Sequence, residues 1–224
     1  MGEFVQFSHA GETFRGYLAR AEPAGPGVIV LQEWWGLVGH ITDVADRFAA
    51  EGFTALAPDL YRGKSTTEPD EAGSLMMALN IAETELQLRA AVQALQHDPG
   101  TVEGKVGVVG FCMGGQLSML AACENPEIGA CVNFYGIHPK VQPDFSKLEA
   151  PILGLFAELD DYASPAAVTL LSSALSDMGK RHEFHTYPGT HHAFFNNDRP
   201  AVYSESASSD AWSRVLAFFR SNLP

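Results

Sequence analysis

At 224 residues, 46% hydrophobic and only 18% charged, the chain has the composition of a folded globular protein, long enough to bury a substantial core within one domain. Its 27 acidic against 14 basic residues leave a formal charge of -13, which repels phosphate backbones and argues against a nucleic-acid partner while leaving room for an anionic small molecule at a local arginine. The apolar runs are strand-sized, so no membrane span is expected, and the start MGEFVQF lacks a signal-peptide pattern. Cys112, Cys123 and Cys131 form no CxxC pair and leave one over from any disulfide, which points to a reducing, cytoplasmic setting.

Phe4 to Phe7 and Thr13 to Ala19 read as an edge hairpin turning at Ala10-Gly11. Gly27 to Leu31 is a continuous apolar run, as expected of a strand buried on both faces. Ile41 to Ala50 has helical spacing and stops at Gly52. Phe53 to Ala57 is the next strand, and Glu71 to Gln96 a long helical region. Lys105 to Gly110 is a strand, Met113 to Ala122 a helix, and Ile128 to Phe134 and Ile152 to Ala157 are strands. Pro165 to Met178 is a helix with proline in its first turn, Glu183 to Tyr187 the last strand and Tyr203 to Ser221 the last helix. Alternating strands and helices predict an α/β domain: a mainly parallel sheet covered by helices on both faces.

In such a sheet, ligands bind beyond the carboxyl ends of the strands. Four strand ends carry reactive side chains. After Gly110 comes Gly110-Phe111-Cys112-Met113-Gly114, a nucleophile elbow with cysteine in the serine position. The flanking glycines suit a tight strand-to-helix turn, and the following helix points free N–H groups at the thiol. The plainer alternative is a buried cysteine in a glycine-rich turn; Cys123 and Cys131, inside apolar segments, read as inert packing residues. After Tyr187 comes His191-His192, either of which could serve as base. After Ala157 comes Asp160-Asp161, a source of the acid that would orient the base, although Ser164-Pro165 also looks like an ordinary helix cap. Nucleophile, acid, base is the chain order of α/β-hydrolases. No HExxH or Cys/His ligand spacing suggests a metal.

The fourth strand end holds Glu33, in LQEWWGL. Together with APDLYRG, GFCMGG, AELDDYASP and YPGTHHAFFNNDRP, this stretch resembles the dienelactone hydrolase family over nearly the whole chain. The resemblance implies an α/β-hydrolase fold and a Cys112–His192–Asp160 triad, preferring Asp160 over Asp161 and His192 over His191. It also implies that Glu33 lies against the thiol and takes its proton when substrate arrives. A desolvated carboxylate holds a proton more readily than one in water, and a neutral resting thiol is protected from oxidation. The oxyanion hole would be the backbone N–H groups of Trp34 and Met113, each such donor being worth about 3 kcal/mol.

Further, the resemblance matches Arg62 to an arginine that holds the substrate carboxylate. A second family arginine, four residues beyond the histidine, is replaced here by Asn196, for which Arg199 is the candidate substitute. Trp35, Tyr61 and Phe111, with Trp34, are expected to line a small apolar pocket, ordinary core packing being the other reading of each. The expected protein is a cofactor-free hydrolase of a small ester or lactone, such as a 4-carboxymethylene-butenolide, acting through a thioester as monomer or homodimer. Other small esters are the first alternative; a cysteine redox sensor or peroxidase and a binding module on a hydrolase scaffold are further ones.

Overall fold

The computed structural model describes residues 1–136, 138 and 140–224. Eight strands form one sheet: β1 Glu3–His9, β2 Glu12–Ala19, β3 Gly27–Leu31, β4 Thr54–Pro58, β5 Val106–Phe111, β6 Ile128–Phe134, β7 Ile152–Ala157 and β8 His182–Tyr187. Their spatial order is β1-β2-β4-β3-β5-β6-β7-β8. From β4 to β8 every pairing is parallel; β1 and β2 add an antiparallel edge. The β1–β2 turn falls at Ala10 and Gly11, both at positive φ (52° and 83°), as a two-residue hairpin with right-handed strand twist requires.

Among the described residues there are six α-helices: α1 Gly39–Ala50, α2 Pro69–Ala78, α3 Ile81–Gln96, α4 Met113–Glu124, α5 Pro165–Asp177 and α6 Glu205–Asn222. Alternation along the strands sends neighbouring residues to opposite faces. Ile29, Leu31 and Val108 join a core with α3 and α4, including Leu88, Leu95 and Leu117. Val28, Val30 and Val109 join a second core with α1 and α6, including Phe48 and Phe219. Burial on both faces explains why these strands read as unbroken apolar runs.

The long helical region expected over Glu71 to Gln96 is two helices. Leu79 leaves the helical region (ψ 124°), and Asn80 starts α3 by accepting hydrogen bonds from the amides of Ala82 (3.1 Å) and Glu83 (3.4 Å). An asparagine side chain competes with the main chain for those amides, so helical spacing on either side did not reveal the break. Among the described residues no helix is long and apolar enough to cross a membrane, and no group of three or more His, Cys, Asp or Glu could hold a metal ion.

Candidate active site

The strand-to-helix turn between β5 and α4 holds Cys112 at φ 54° and ψ -118°, a left-handed backbone that non-glycine residues adopt only where the surroundings enforce it. Two glycines make room. A Cβ on Gly110 would run into the carbonyl of Gly114, and one on Gly114 would come within 2.5 Å of the Leu31 carbonyl oxygen. The Cys112 amide donates to the Phe134 carbonyl at 3.0 Å, tying the turn to the end of β6. Its thiol is half-buried, whereas Cys123 and Cys131 are fully buried, and burial is the main cause pushing both of their thiols up to about 12.

The loops after β7 and β8 bring Asp160 and His192 together. His192 Nδ1–H donates to Asp160 Oδ2 at 2.8 Å, and the other carboxylate oxygen accepts from the amides of Tyr162 (2.7 Å) and Ala163 (2.9 Å). The Asp160 side chain is 0% exposed and that of His192 16%. Burial by itself lowers the proton affinity of the imidazole. The hydrogen bonds with Asp160 and Cys112, the charge of Asp160 and, when the sulfur is a thiolate, the charge of Cys112 outweigh it, and His192 is pushed up to about 10. The ring lies between Tyr135 and Tyr162, at centroid distances of 5.0 and 5.1 Å. Asp161 and His191, the neighbours left open by the sequence, are exposed.

Glu33, just past β3, is buried. Its Oε2 accepts a hydrogen bond from Asn196 Nδ2 at 2.6 Å, and its Oε1 has no partner among the described residues. Cys112, His192 and Glu33 open onto one cavity of about 450 Å³. Its walls include Trp34, Trp35, Met76, Leu159, Tyr162 and Val202, with Asp161, His191 and Arg199 at polar positions. The two tryptophans meet edge to face (5.0 Å), and the Arg199 guanidinium sits 4.9 Å over the Trp35 ring.

Three residues expected at the substrate are elsewhere. Arg62 stands at positive φ (53°) in the turn after β4, which aims its exposed side chain away from the cavity and toward Glu12 (3.3 Å) and Glu83 (3.5 Å). It is not among the residues that line the cavity of Cys112, so the structure does not bring it together with the other candidate residues. Phe111 is fully buried and stacked on Phe134 (4.7 Å) and Phe195 (5.4 Å); it supports the elbow from the core. Tyr61 is also buried, with its hydroxyl directed at the Met113 sulfur (3.2 Å).

Conversely, Asn196 and Tyr135 belong to the site and had no assigned role. Tyr135 stands just past β6, a strand end to which the strand-end rule applies but which no titrating motif marks in the sequence. Met76 comes from α2, which no spacing in the sequence places near the thiol.

The dienelactone hydrolase family model matches residues 14–223. Over 230 residues, covering 100% of both chains, this one is 39% identical to "Protein usf" of Aquifex pyrophilus. Over the same span it is 34% identical to the "Putative carboxymethylenebutenolidase" of Aquifex aeolicus, again covering all of both chains. A crystal structure from Klebsiella pneumoniae, described as a "Putative Dienelactone Hydrolase", superposes with a TM-score of 0.86 at 29% identity, over 98% of this chain and 99% of the other. With its mainly parallel eight-stranded sheet and its helices on both faces, the chain has the α/β-hydrolase fold and belongs to the dienelactone hydrolase family.

Proposed function

We propose that this member of a hydrolase family cleaves a small ester or lactone with Cys112 as nucleophile, His192 as acid and base, and Asp160 as the group that orients His192. The observation that carries this reading is the convergence of an elbow cysteine and an Asp160-bound imidazole on one cavity. The thiolate attacks the substrate carbonyl. The carbonyl oxygen becomes an oxyanion facing the amides of Trp34 and Met113, the latter being the first amide of α4, where the helix has no internal partner to offer.

Next, the imidazolium gives its proton to the departing alkoxide, leaving a thioester on Cys112 and a neutral His192. Forming the thioester removes the negative charge of the sulfur, one of the causes that raise the proton affinity of His192. The imidazole is then free to take a proton from water, whose hydroxide attacks the thioester; the C–S bond breaks, the acid leaves, and the departing thiolate takes back the proton that Glu33 holds. Before the first step the thiol must be deprotonated. In this reading Glu33 does that: Oε2 is occupied by Asn196, so the free Oε1 is the acceptor.

For the substrate, the mainly apolar walls fit a compact ester or lactone. Arg199, over Trp35, is the group positioned to meet a substrate carboxylate, as a carboxymethylene-butenolide would present. Because Arg62 lies outside this cavity, small esters without a carboxylate are the second reading.

Incubation with a dienelactone and with short p-nitrophenyl esters, alongside Cys112→Ala, tests the proposal. Turnover by the wild type, its loss by roughly three orders of magnitude or more in the variant, and an acyl adduct on Cys112 by mass spectrometry are expected. Peroxide consumption without ester turnover would replace this reading with a redox one.

A further inference from the structure

Of the large apolar side chains around the Cys112 cavity, Trp34, Trp35, Met76 and Val202 are half-buried, while Leu159 is 48% exposed and Tyr162 62%. Single exposed apolar residues are ordinary on a protein surface. These two are a pair: they flank Asp160 in the loop after β7 and line the same cavity. Their backbone is held in place. The Leu159 amide donates to the Thr190 carbonyl at 2.9 Å, joining the loops after β7 and β8, and the Tyr162 amide donates to Asp160 Oδ1 at 2.7 Å. A fixed backbone that presents two large apolar side chains at the mouth of a cavity suits a ligand with an apolar group to cover them.

Their position says which part of a substrate that is. The Tyr162 ring lies 5.1 Å from the ring of His192, and Leu159 is tied through Thr190 to the loop that carries His192. In acyl transfer the imidazole hands its proton to the leaving oxygen, so the leaving group lies on the histidine side of the carbonyl. Trp34, whose amide faces the oxyanion in the proposed reaction, and Trp35, under Arg199, come from the loop after β3. That part of the cavity is left to the acyl group.

We infer that Leu159 and Tyr162 bind the alcohol portion of the substrate, and that the substrate class is an open-chain ester of an apolar alcohol with a compact acyl group. The inference rests on the proposed triad and deepens it. The thiolate bonds to the carbonyl carbon, the C–O bond to the alkoxide breaks, and the alkoxide takes the proton of His192. The alcohol then leaves over Leu159 and Tyr162; nothing is oxidised or reduced.

The test is hydrolysis of two ester series, followed by acid release at constant pH. In methyl, butyl and hexyl acetate the alcohol grows; in methyl acetate, butyrate and hexanoate the acyl group grows. Straight-chain alkoxides leave about equally well, so the alcohol series reads binding. Along it kcat/KM should rise about twofold per methylene, roughly thirtyfold from methyl to hexyl, the gain for a chain that loses about half of its contact with water; the acyl series should stay within about threefold. Leu159→Ser should cut the hexyl-to-methyl ratio about threefold or more, and Leu159→Met should restore it. Leu170→Ser, at an equally exposed type of position on α5 (72%), should leave the ratio unchanged.

A flat alcohol series, an acyl series that climbs as steeply, or a ratio that survives Leu159→Ser overturns the inference while the proposed hydrolysis stands. So does turnover confined to p-nitrophenyl esters. Absence of turnover of every ester, p-nitrophenyl esters included, removes the proposed function and this inference with it.

Discussion

The inner wall of the cavity and its rim are built from neighbouring residues to different standards. Asp160 is buried and accepts three hydrogen bonds, from His192 and from two amides, while Asp161 beside it is exposed. His192 packs against the rings of Tyr135 and Tyr162, while His191 is exposed. Glu33 is buried and held by Asn196, while Arg199 is exposed and rests on Trp35 by a contact that solvent weakens. Under the proposed function the inner wall fixes atoms for chemistry, whose rate depends on placement within fractions of an ångström.

The largest effect should separate the paired aspartates. Asp160→Asn is expected to lower ester turnover by roughly 10²- to 10⁴-fold, since the amide can no longer hold the working tautomer of His192. Asp161→Asn should stay within about threefold of the wild type. Steady-state kinetics on both variants checks this; similar losses would erase the distinction between wall and rim.

Next in size is Glu33→Gln, which keeps the partnership with Asn196 available and removes the proton acceptor. Turnover should fall on the order of tenfold with the fold intact by circular dichroism. An unchanged rate would take Glu33 out of the chemistry.

At the rim, Arg199→Ala should raise KM for a carboxylate-bearing ester several-fold while leaving a neutral ester within about twofold, and should do so less at high salt. Arg62→Ala, beside Glu12 and Glu83, should alter neither substrate. An effect of Arg62→Ala on KM alone would put Arg62 at the substrate, as the family resemblance implies.

The smallest effect is on stability. His192 is raised to about 10 in the folded state from an ordinary 6.5, so the native state keeps a proton that the unfolded chain releases. Its contribution is complete below about pH 6.5 and is lost as pH rises through about 10. Asp160→Asn removes a main cause of the raised affinity. Melting temperatures measured from pH 6.5 to 10 should therefore decline less steeply in that variant than in the wild type.

What the sequence determined by itself was local. Apolar runs such as Gly27–Leu31 mark strands buried on both faces, because period and hydrophobicity are properties of a few adjacent residues. The glycines around Cys112 announce a tight turn, because only a missing Cβ allows carbonyls so close. Cys112, Asp160 and His192 stand out as candidates because each lies within a few residues past a strand, and parallel strands deliver their ends to one edge.

The tertiary structure alone decided what depends on orientation and on distant partners. Arg62 follows a strand too, but a turn at positive φ sends it to Glu12 and Glu83. Asn80 divides a region of continuous helical spacing, because its side chain takes over the amides of the next turn. Whether Asn196 meets Glu33, 163 positions away, and whether the Tyr135 ring packs on His192, are facts of packing. Burial and hydrogen bonding depend on which segments meet in space, and the spacing of residues along the chain does not encode that.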